Sequence, residues 1–348
     1  DVTIQGFVVR GGGDKLDQEN AGITGLSPGL TIENNRLEDT LFGIYIKEAP
    51  NSVIRGNIVH SKELPVPRRG DGIRAWYSEG TLIEDNHVKG SRDVVVWFSP
   101  DSVVRRNLVE DGRYGLHFMF SDNQLVEENI LQNNSVGAFL MYGVGLTMRD
   151  NVLYNNHGPS GYGVGLKDVD NIVATGNRFV GNRVGAYVDN SPREPDATVE
   201  FEGNLFAYNE IGAMLQPLTQ RNSYTENIFQ ENGEQIAVAG SGQLVANHWS
   251  VNGRGNYWSN YAGFDADGDG IGDLPYRAVS LFEDLTNIHP GLRLFYLGPA
   301  TDALDLVARA FPIFQPQPKM ADDHPLMSPP TLSEVDGLPT TPVAKDMA

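Results

Sequence analysis

Residues 103–109 read VVRRNLV, residues 125–131 read LVEENIL, and residues 146–153 read LTMRDNVL. Each stretch places one asparagine between two short aliphatic runs, and Asn107, Asn129 and Asn151 are 22 residues apart in turn. A repeat of this length is too short for a pair of helices and fits one coil of three short strands and three bends. The three stretches therefore predict a chain that winds into a solenoid of β-strands.

The same asparagine recurs over most of the chain. The series reads Asn35, Asn57, Asn86, Asn107, Asn129, Asn151, Asn177, Asn204 and Asn227, with gaps of 22, 29, 21, 22, 22, 26, 27 and 23 residues. The three longest gaps contain turn-rich stretches at 61–69, 156–160 and 190–195, which we interpret as loop insertions. Stacked asparagines at a bend can bond to one another, so we interpret the series as structural; the alternative is an array of ligand-binding amides.

The predicted fold class is all-β, a right-handed parallel β-helix of about 22 residues per coil. We place the coils at 1–250, a C-terminal cap with an aspartate-rich loop at 251–298, and an amphipathic helix with an extended, partner-docking tail at 299–348. The helix is predicted from the apolar stripe of Leu304, Val307 and Phe311. Because the chain begins at Asp1 within a predicted strand, we interpret this start as processed or internal.

Charge and cysteine content narrow the classes of function. The chain has 45 acidic and 26 basic residues, a formal net charge of −19, and no cysteine. That charge disfavours nucleic acid and anionic lipid as partners. Without thiolates, a transition metal must be held by histidine, methionine or carboxylate. No apolar run reaches the roughly 18 residues of a membrane span, so membrane contact is expected only through a partner.

One strand of each coil divides into two faces, because side chains alternate along a strand. One set is aliphatic and predicts the core: Ile44, Ile46, Ile73, Ala75, Val94, Val96, Leu116, Phe118, Ala138, Leu140, Ala186, Val188, Ala213 and Leu215. The other set points outward and includes Trp76, Trp97, His117, Met119, Phe139 and Met141. An outer face this apolar predicts a covering partner at Trp76, Trp97 and Phe139, or cover by the chain itself.

The outward set also contains candidate metal ligands. His117 and Met119 share one face of one strand, and Met141 lies 22 residues after Met119, in the next coil. Imidazole with thioethers suits copper, above all Cu(I). We therefore predict a copper site at His117, Met119 and Met141, with Met214, and His157 on an insertion, as further ligands. The alternative is that these methionines only pack against aromatic rings.

A second metal-like pattern lies in the predicted cap. Asp265, Asp267 and Asp269 occupy positions 1, 3 and 5 of a calcium loop, the carbonyl of Ile271 occupies position 7, and Asp273 occupies position 9. Tyr276 replaces the glutamate that such loops carry at position 12. The sequence thus leaves two interpretations open, a weak calcium site and a turn without an ion.

An enzyme that acts on acidic polysaccharides is the rival hypothesis, since many β-helices carry carboxylates in a groove. Hydrolysis would require paired carboxylates beside an aromatic ring. The central coils instead present methionine, histidine and apolar side chains, and the sequence has no catalytic triad or P-loop. We therefore expect a protein that is not an enzyme.

Four segments resemble the NosD family: RYGLHFMFSDNQLVEENI (113–130), SVGAFLMYGVGLTMRDN (135–151), GPSGYGVGLKDVDN (158–171) and GNYWSNYAGFDADGDGIGDLPYR (255–277). This resemblance implies a periplasmic, copper-handling protein without enzymatic activity. It also implies partners: the ABC transporter formed by NosF and NosY, the copper chaperone NosL, and nitrous oxide reductase, whose copper sites are matured.

Overall fold

The computed structural model describes residues 2–240, 242–279, 291 and 317–332. Three long parallel sheets run along the chain, with 10, 11 and 10 strands, and successive coils add one strand to each sheet. They form a β-solenoid, which confirms the predicted fold class. Among the described residues, no helix has the length and apolar character needed to cross a bilayer.

The strands are short, and each sheet follows chain order. The first sheet contains Val2–Gln5, Leu30–Glu33, Val53–Arg55, Leu82–Glu84, Val103–Arg105, Gln124–Glu127, Val144–Arg149, Asp170–Thr175, Val199–Glu202 and Asn222–Thr225. The second contains Val8–Arg10, Arg36–Thr40, Ile58–Ser61, His87–Lys89, Leu108–Glu110, Ile130–Gln132, Val152–Tyr154, Arg178–Val180, Leu205–Ala207, Ile228–Gln230 and Tyr257–Trp258. The third contains Ala21–Gly25, Phe42–Lys47, Ile73–Trp76, Asp93–Trp97, Tyr114–Met119, Val136–Met141, Tyr162–Lys167, Val184–Asp189, Ile211–Leu215 and Glu234–Val238.

The predicted asparagine column lies at the bend between the first and second sheets. The Nδ2 atom of Asn107 donates to Oδ1 of Asn129 at 2.9 Å, and Asn129 repeats this bond to Asn151 at 2.9 Å. The amide also donates to a backbone carbonyl of the preceding coil, as Asn129 does to Val104 at 2.9 Å. Each amide therefore satisfies buried backbone groups as well as its neighbour, which confirms the structural interpretation of the column.

A second asparagine column, not predicted, runs between the second and third sheets. It contains Asn134, Asn156, Asn182, Asn209 and Asn232, each five residues after a member of the first column. In one of its steps, Nδ2 of Asn156 donates to Oδ1 of Asn182 at 2.9 Å. The five-residue offset was the signal in the sequence that would have revealed it.

The core is the interior of the coil. All fourteen residues predicted to point inward from the third sheet are buried, none more than 3% exposed. Towards the C-terminal end, aromatic rings replace the aliphatic side chains. Phe206, Phe229, Trp258 and Tyr276 stack with ring centroids 4.7, 4.4 and 4.2 Å apart.

The C-terminal end of the coil is closed by residues far apart in sequence. Tyr276–Ala278 pairs antiparallel with Met320–Asp322. Two short 3-10 helices, Leu16–Gln18 and Val66–Arg68, lie in loops near the opposite, N-terminal end. Segment 317–332 thus packs on the cap, because Met320, Asp322 and Leu326 are buried there. This differs from the expected tail, which was to leave the stack throughout 299–348. The predicted helix at Leu304, Val307 and Phe311 lies outside the described residues.

Candidate copper site

The outer face of the third sheet carries two columns of side chains, set by the parallel register. The first column contains Tyr45, Arg74, Val95, His117 and Phe139. The second contains Lys47, Trp76, Trp97, Met119, Met141, Lys167 and Asp189. His117 and Met119 therefore share one face of one strand, and Met141 lies directly beside Met119, as the sequence predicted.

His117 is held in one orientation by a buried carboxylate. Its Nδ1 lies 3.1 Å from Oδ2 of Asp93, and the side chain of Arg113 pairs with the same carboxylate. Burial disfavours a charged Asp93, but the hydrogen bonds from Arg113 and His117 hold the pKa of this carboxyl below its usual range. An ionised carboxylate only accepts hydrogen bonds, so Nδ1 of His117 is the protonated nitrogen.

The other imidazole nitrogen, Nε2, is left free among the described residues. Nε2 of His117 is buried and has no hydrogen-bond partner in the described part of the chain. With Nδ1 protonated, a neutral ring carries a free lone pair at Nε2. A histidine that binds a metal commonly donates its second N–H to a carboxylate in this way. The Asp93–His117 pair therefore has the chemistry of a metal ligand with its supporting residue.

Aromatic rings pack around the imidazole of His117. The rings of Trp97 and Tyr114 meet the ring of His117 edge to face, at centroid distances of 5.1 and 4.9 Å. Phe139 lies one coil further along, 5.5 Å from Tyr114, and its ring covers Gly165. A Cβ at residue 165 would stand 2.3 Å from the Phe139 ring, so only glycine allows this approach. These aromatic rings exclude water from the surroundings of Nε2 of His117.

The first column is not the open surface that the sequence analysis expected. His117 is only 5% exposed, and Tyr45, Arg74 and Val95 are buried as well. The guanidinium of Arg74 lies over four aromatic rings, the nearest of which is Trp76 at 4.4 Å, and it pairs with Glu19 at 2.9 Å. Large neighbours on the same face therefore cover this column, whereas Trp76, Trp97, Met119 and Met141 in the second column remain partly exposed.

A buried carboxylate also lies beside Arg74. Asp71 pairs with Arg92 at 3.0 Å and lies 3.7 Å from Arg74. Burial raises the pKa of Asp71 to about 6, against the opposing effect of Arg92. Asp71 and Asp93 are thus two buried acids on adjacent coils, but only Asp93 bonds to His117.

An aromatic ladder, exposed at Tyr77 and Phe120 and half-buried at Phe98 and Tyr142, borders the second column and was not predicted from the sequence. Tyr77, Phe98, Phe120 and Tyr142 stack with centroid distances of 4.8, 5.1 and 5.0 Å. All four have positive φ, from 49° to 57°, which is uncommon for an aromatic residue. Each directly follows Trp76, Trp97, Met119 or Met141 in the chain, and this repeated aromatic was the available signal. The ladder widens the apolar surface beside the methionines.

Two further predicted ligands do not reach this site. Met214 shares the first column with His117 but lies four coils away, a distance of roughly 19 Å at the usual strand spacing. It packs instead near Val184, Ile211 and Ala237. His157 is exposed, and its Nε2 lies 2.8 Å from the carbonyl oxygen of Gly181.

The aspartate loop is folded as a compact turn. One carboxylate oxygen from each of Asp265, Asp267 and Asp269 lies within 4.8 Å of the others. The backbone N–H groups of Gly270 and Gly268 donate to Asp265 and lower its pKa. Asp273 accepts a hydrogen bond from Ala266 at 2.7 Å, and the N–H of Ile271 donates to Asp269 at 2.8 Å. The five residues are thus close together, and all four carboxylates accept hydrogen bonds from backbone N–H groups of the loop.

The solved structures similar to this chain include two epimerases and a tailspike protein. The periplasmic alginate epimerase AlgG is 17% identical, with a TM-score of 0.42 over 65% of this chain and 50% of that chain. The A-module of a mannuronan C-5 epimerase from Azotobacter vinelandii is 18% identical, with a TM-score of 0.44 over 64% of each chain. The Dettilon tailspike protein is 15% identical, with a TM-score of 0.45 over 70% of this chain and 62% of that chain.

Sequence relatives are more informative. A protein of Pseudomonas aeruginosa named "Probable ABC transporter binding protein NosD" is 31% identical over 341 residues, which are 94% of this chain and 78% of that protein. A protein of the same name from Stutzerimonas stutzeri is 37% identical over 130 residues, 37% of this chain and 29% of that protein. The family model described as "Periplasmic copper-binding protein (NosD)" matches residues 59–263, which include His117, Met119 and Met141. The chain therefore belongs to the NosD family.

Proposed function

We propose that this protein binds Cu(I) at Nε2 of His117 and the sulfur atoms of Met119 and Met141, and passes the ion to a partner. The observation that carries the proposal is the buried, unbonded Nε2, whose ring is fixed through Asp93. Thioethers and imidazole are the soft ligands of a chain without cysteine, and they favour copper. The family description as periplasmic and copper-binding supports both the metal and the compartment.

The arrangement suits release as well as binding. Met119 and Met141 are partly exposed and neighbours across the sheet, about 4.8 Å apart along the coil axis, while His117 is buried beside them. An ion entering from solvent would meet the thioethers first and the imidazole second. A partner that brings its own soft ligand can then exchange with the methionines without displacing the buried histidine. Few ligands and one open side favour transfer over permanent storage.

The names of the relatives support an ABC transporter as a partner. We extend the proposal to delivery of copper to nitrous oxide reductase, with NosF and NosY as the transporter and NosL as the copper donor. The partner would contact Trp76, Trp97 and the aromatic ladder beside the methionines. The predicted helix near Leu304, Val307 and Phe311 is the proposed transporter contact.

A competition titration with a chromophoric Cu(I) chelator tests the site. The Met119→Ala/Met141→Ala double variant should lose at least tenfold in Cu(I) affinity, and His117→Gln should lose a similar amount. Met214→Ala is the matched control, because Met214 is an outward methionine of the same sheet, four coils from His117. It should bind copper like wild type.

Transfer is measured separately, by activation of copper-free nitrous oxide reductase with the loaded protein. The double variant should activate the reductase far less than wild type at equal protein concentration. Wild-type affinity in the double variant would show that the methionines only pack, and the site would lie elsewhere. Normal binding without any transfer in wild type would refute delivery to this enzyme and leave the copper site standing.

A further inference from the structure

A pair of histidines lies on a different sheet from the proposed copper site. His60 and His87 belong to adjacent strands of the second sheet, Ile58–Ser61 and His87–Lys89. Their rings are in contact, with centroids 5.6 Å apart and planes at 83°. With metal–nitrogen bonds of about 2.0–2.1 Å and tetrahedral angles, two imidazole rings on one ion lie roughly 5 to 6 Å apart. The spacing of this pair therefore fits a shared ion.

His87 is anchored in the way a metal-binding histidine usually is. Its Nε2 lies 3.0 Å from Oε1 of Glu110. Burial disfavours a charged Glu110, but hydrogen bonds from Gln132, His87 and Lys89 hold its pKa below the usual range. The ionised carboxylate makes Nε2 of His87 the donor, so Nδ1 is the ring nitrogen left to bind an ion.

His60 supplies the second nitrogen. Its Nε2 is buried and bonds to nothing within the described ranges. Burial first, and then the neighbouring His87, lower the pKa of His60, so its ring is neutral near pH 7. A buried ring nitrogen without a partner costs free energy, and that cost disappears when the nitrogen binds an ion. The terminal torsion of histidine is soft, so the ring can turn without movement of the backbone.

The type of ligand at the pair, imidazole without thioether, favours a divalent ion over Cu(I). Glu38 lies on the strand that precedes the strand of His60 and is directly beside His60 in the sheet. Glu110 lies on the strand that follows the strand of His87 and is directly beside Lys89. Glu38 is paired with Arg10 and Arg36, and Glu110 with Lys89, so the cations balance the acids around the rings. Imidazole with carboxylate is a ligand set for Zn²⁺ or Cu²⁺, whereas the thioethers of Met119 and Met141 belong to the third sheet.

We infer that His60 and His87 form a second metal site, which binds a divalent ion such as Zn²⁺ or Cu²⁺ with Glu110 as the supporting carboxylate. The site does not rest on the proposed function, because it uses other residues, another sheet and another class of metal ion. It would let the protein hold an oxidised or structural ion separately from the transferred Cu(I).

Titration of the whole chain with Cu²⁺, followed by electron paramagnetic resonance, tests this site. Wild type should bind one equivalent with hyperfine coupling to two nitrogen nuclei. His60→Gln and His87→Gln should each weaken binding at least tenfold and abolish the two-nitrogen signal. His157→Gln is the control, since His157 is an exposed histidine after the strand Val152–Tyr154, three coils beyond His87, and it should match wild type. In a calorimetric titration with Zn²⁺, His157→Gln should bind the ion as wild type does, and His60→Gln and His87→Gln should each bind it at least tenfold more weakly.

The two proposed metal sites can be tested independently of each other. Met119→Ala/Met141→Ala should retain the two-nitrogen Cu²⁺ signal, and His60→Gln should retain Cu(I) affinity. Thermal melts without metal show that each variant is folded. If folded His60→Gln and His87→Gln both bind Cu²⁺ with wild-type affinity and spectrum, the pair is not a metal site and its ring contact is only packing.

Discussion

His117 shows how much of the site is decided by single side chains. Its proposed role depends on Asp93, which fixes the ring, and on Trp97 and Tyr114, which exclude water from it. The side-chain period of a strand predicts that His117 and Met119 share a face, and the 22-residue spacing predicts that Met141 joins them. Asp93 begins the strand of the preceding coil and reaches His117 diagonally, so no spacing rule identifies it. Contacts of this kind depend on rotamers and on charges elsewhere, such as Arg113.

We expect Asp93→Asn to lower the Cu(I) affinity of the protein by about 10- to 100-fold, the usual effect of losing such a support. An amide at this position can donate as well as accept, so it no longer fixes the proton on Nδ1 of His117. The measurement is the chelator competition, with a thermal melt of each variant.

Asp71→Asn is the matched control for this experiment. Asp71 is as buried as Asp93 and is likewise paired with an arginine, Arg92, but it has no hydrogen bond to His117. It should change stability while leaving copper affinity within about twofold of wild type. Equal loss of affinity in both variants would mean that Asp93 acts through general stability of the face and does not orient His117.

At the scale of strands, bends and loops, repetition made prediction possible. The asparagine column and the fourteen inward residues recur at one spacing, so a single coil predicts the others. The burial of the outer first column was not predicted, because it results from large neighbours such as Arg74 and Trp97 on the same face. The loops that interrupt the repeat, and the cap, have no periodicity from which contacts could be inferred.

The aspartate loop of the cap is proposed as a weak calcium site. It is joined to segment 317–332, since Met327 donates to the carbonyl of Gly270 at 3.0 Å and Gly272 donates to Pro325 at 2.8 Å. An ion held by Asp265, Asp267 and Asp269 would therefore stiffen the closed end of the coil. Calcium at 100 times its dissociation constant should add about 2.7 kcal/mol of stability, read as a higher melting temperature.

Removal of the ion is the matching measurement. A chelator should return the melting temperature to that of the calcium-free protein, and Asp267→Asn/Asp269→Asn should show no calcium response. Asp323→Asn, at an exposed aspartate of segment 317–332, should respond like wild type. A wild-type melting temperature that is indifferent to both calcium and chelator would leave the loop as a turn without an ion.

For the whole molecule, the solenoid must be closed where its repeat stops, because an open coil exposes sheet edges and core. Here the closure comes from Asp322, 66 residues after Asn256 in the chain. Asn256 ends the first asparagine column by accepting from Asn227, and Asp322 in turn accepts from Asn256 at 2.8 Å and from Nε1 of Trp258 at 2.9 Å. Asp322 has no place in the repeat, which is why the sequence did not reveal this closure.

We expect Asp322→Ala to destabilise the protein by about 2–4 kcal/mol, because it leaves the N–H of Asn256 and Nε1 of Trp258 buried without an acceptor. The loosened end should also expose strand edges, so the variant should associate at higher concentration. Chemical denaturation measures the first effect and light scattering the second. Asp323→Ala, at the exposed neighbouring residue, should match wild type in both. If Asp322→Ala is as stable and as monodisperse as Asp323→Ala, segment 317–332 lies on the cap without closing it, and the coil ends on the aromatic stack of Phe229, Trp258 and Tyr276 alone.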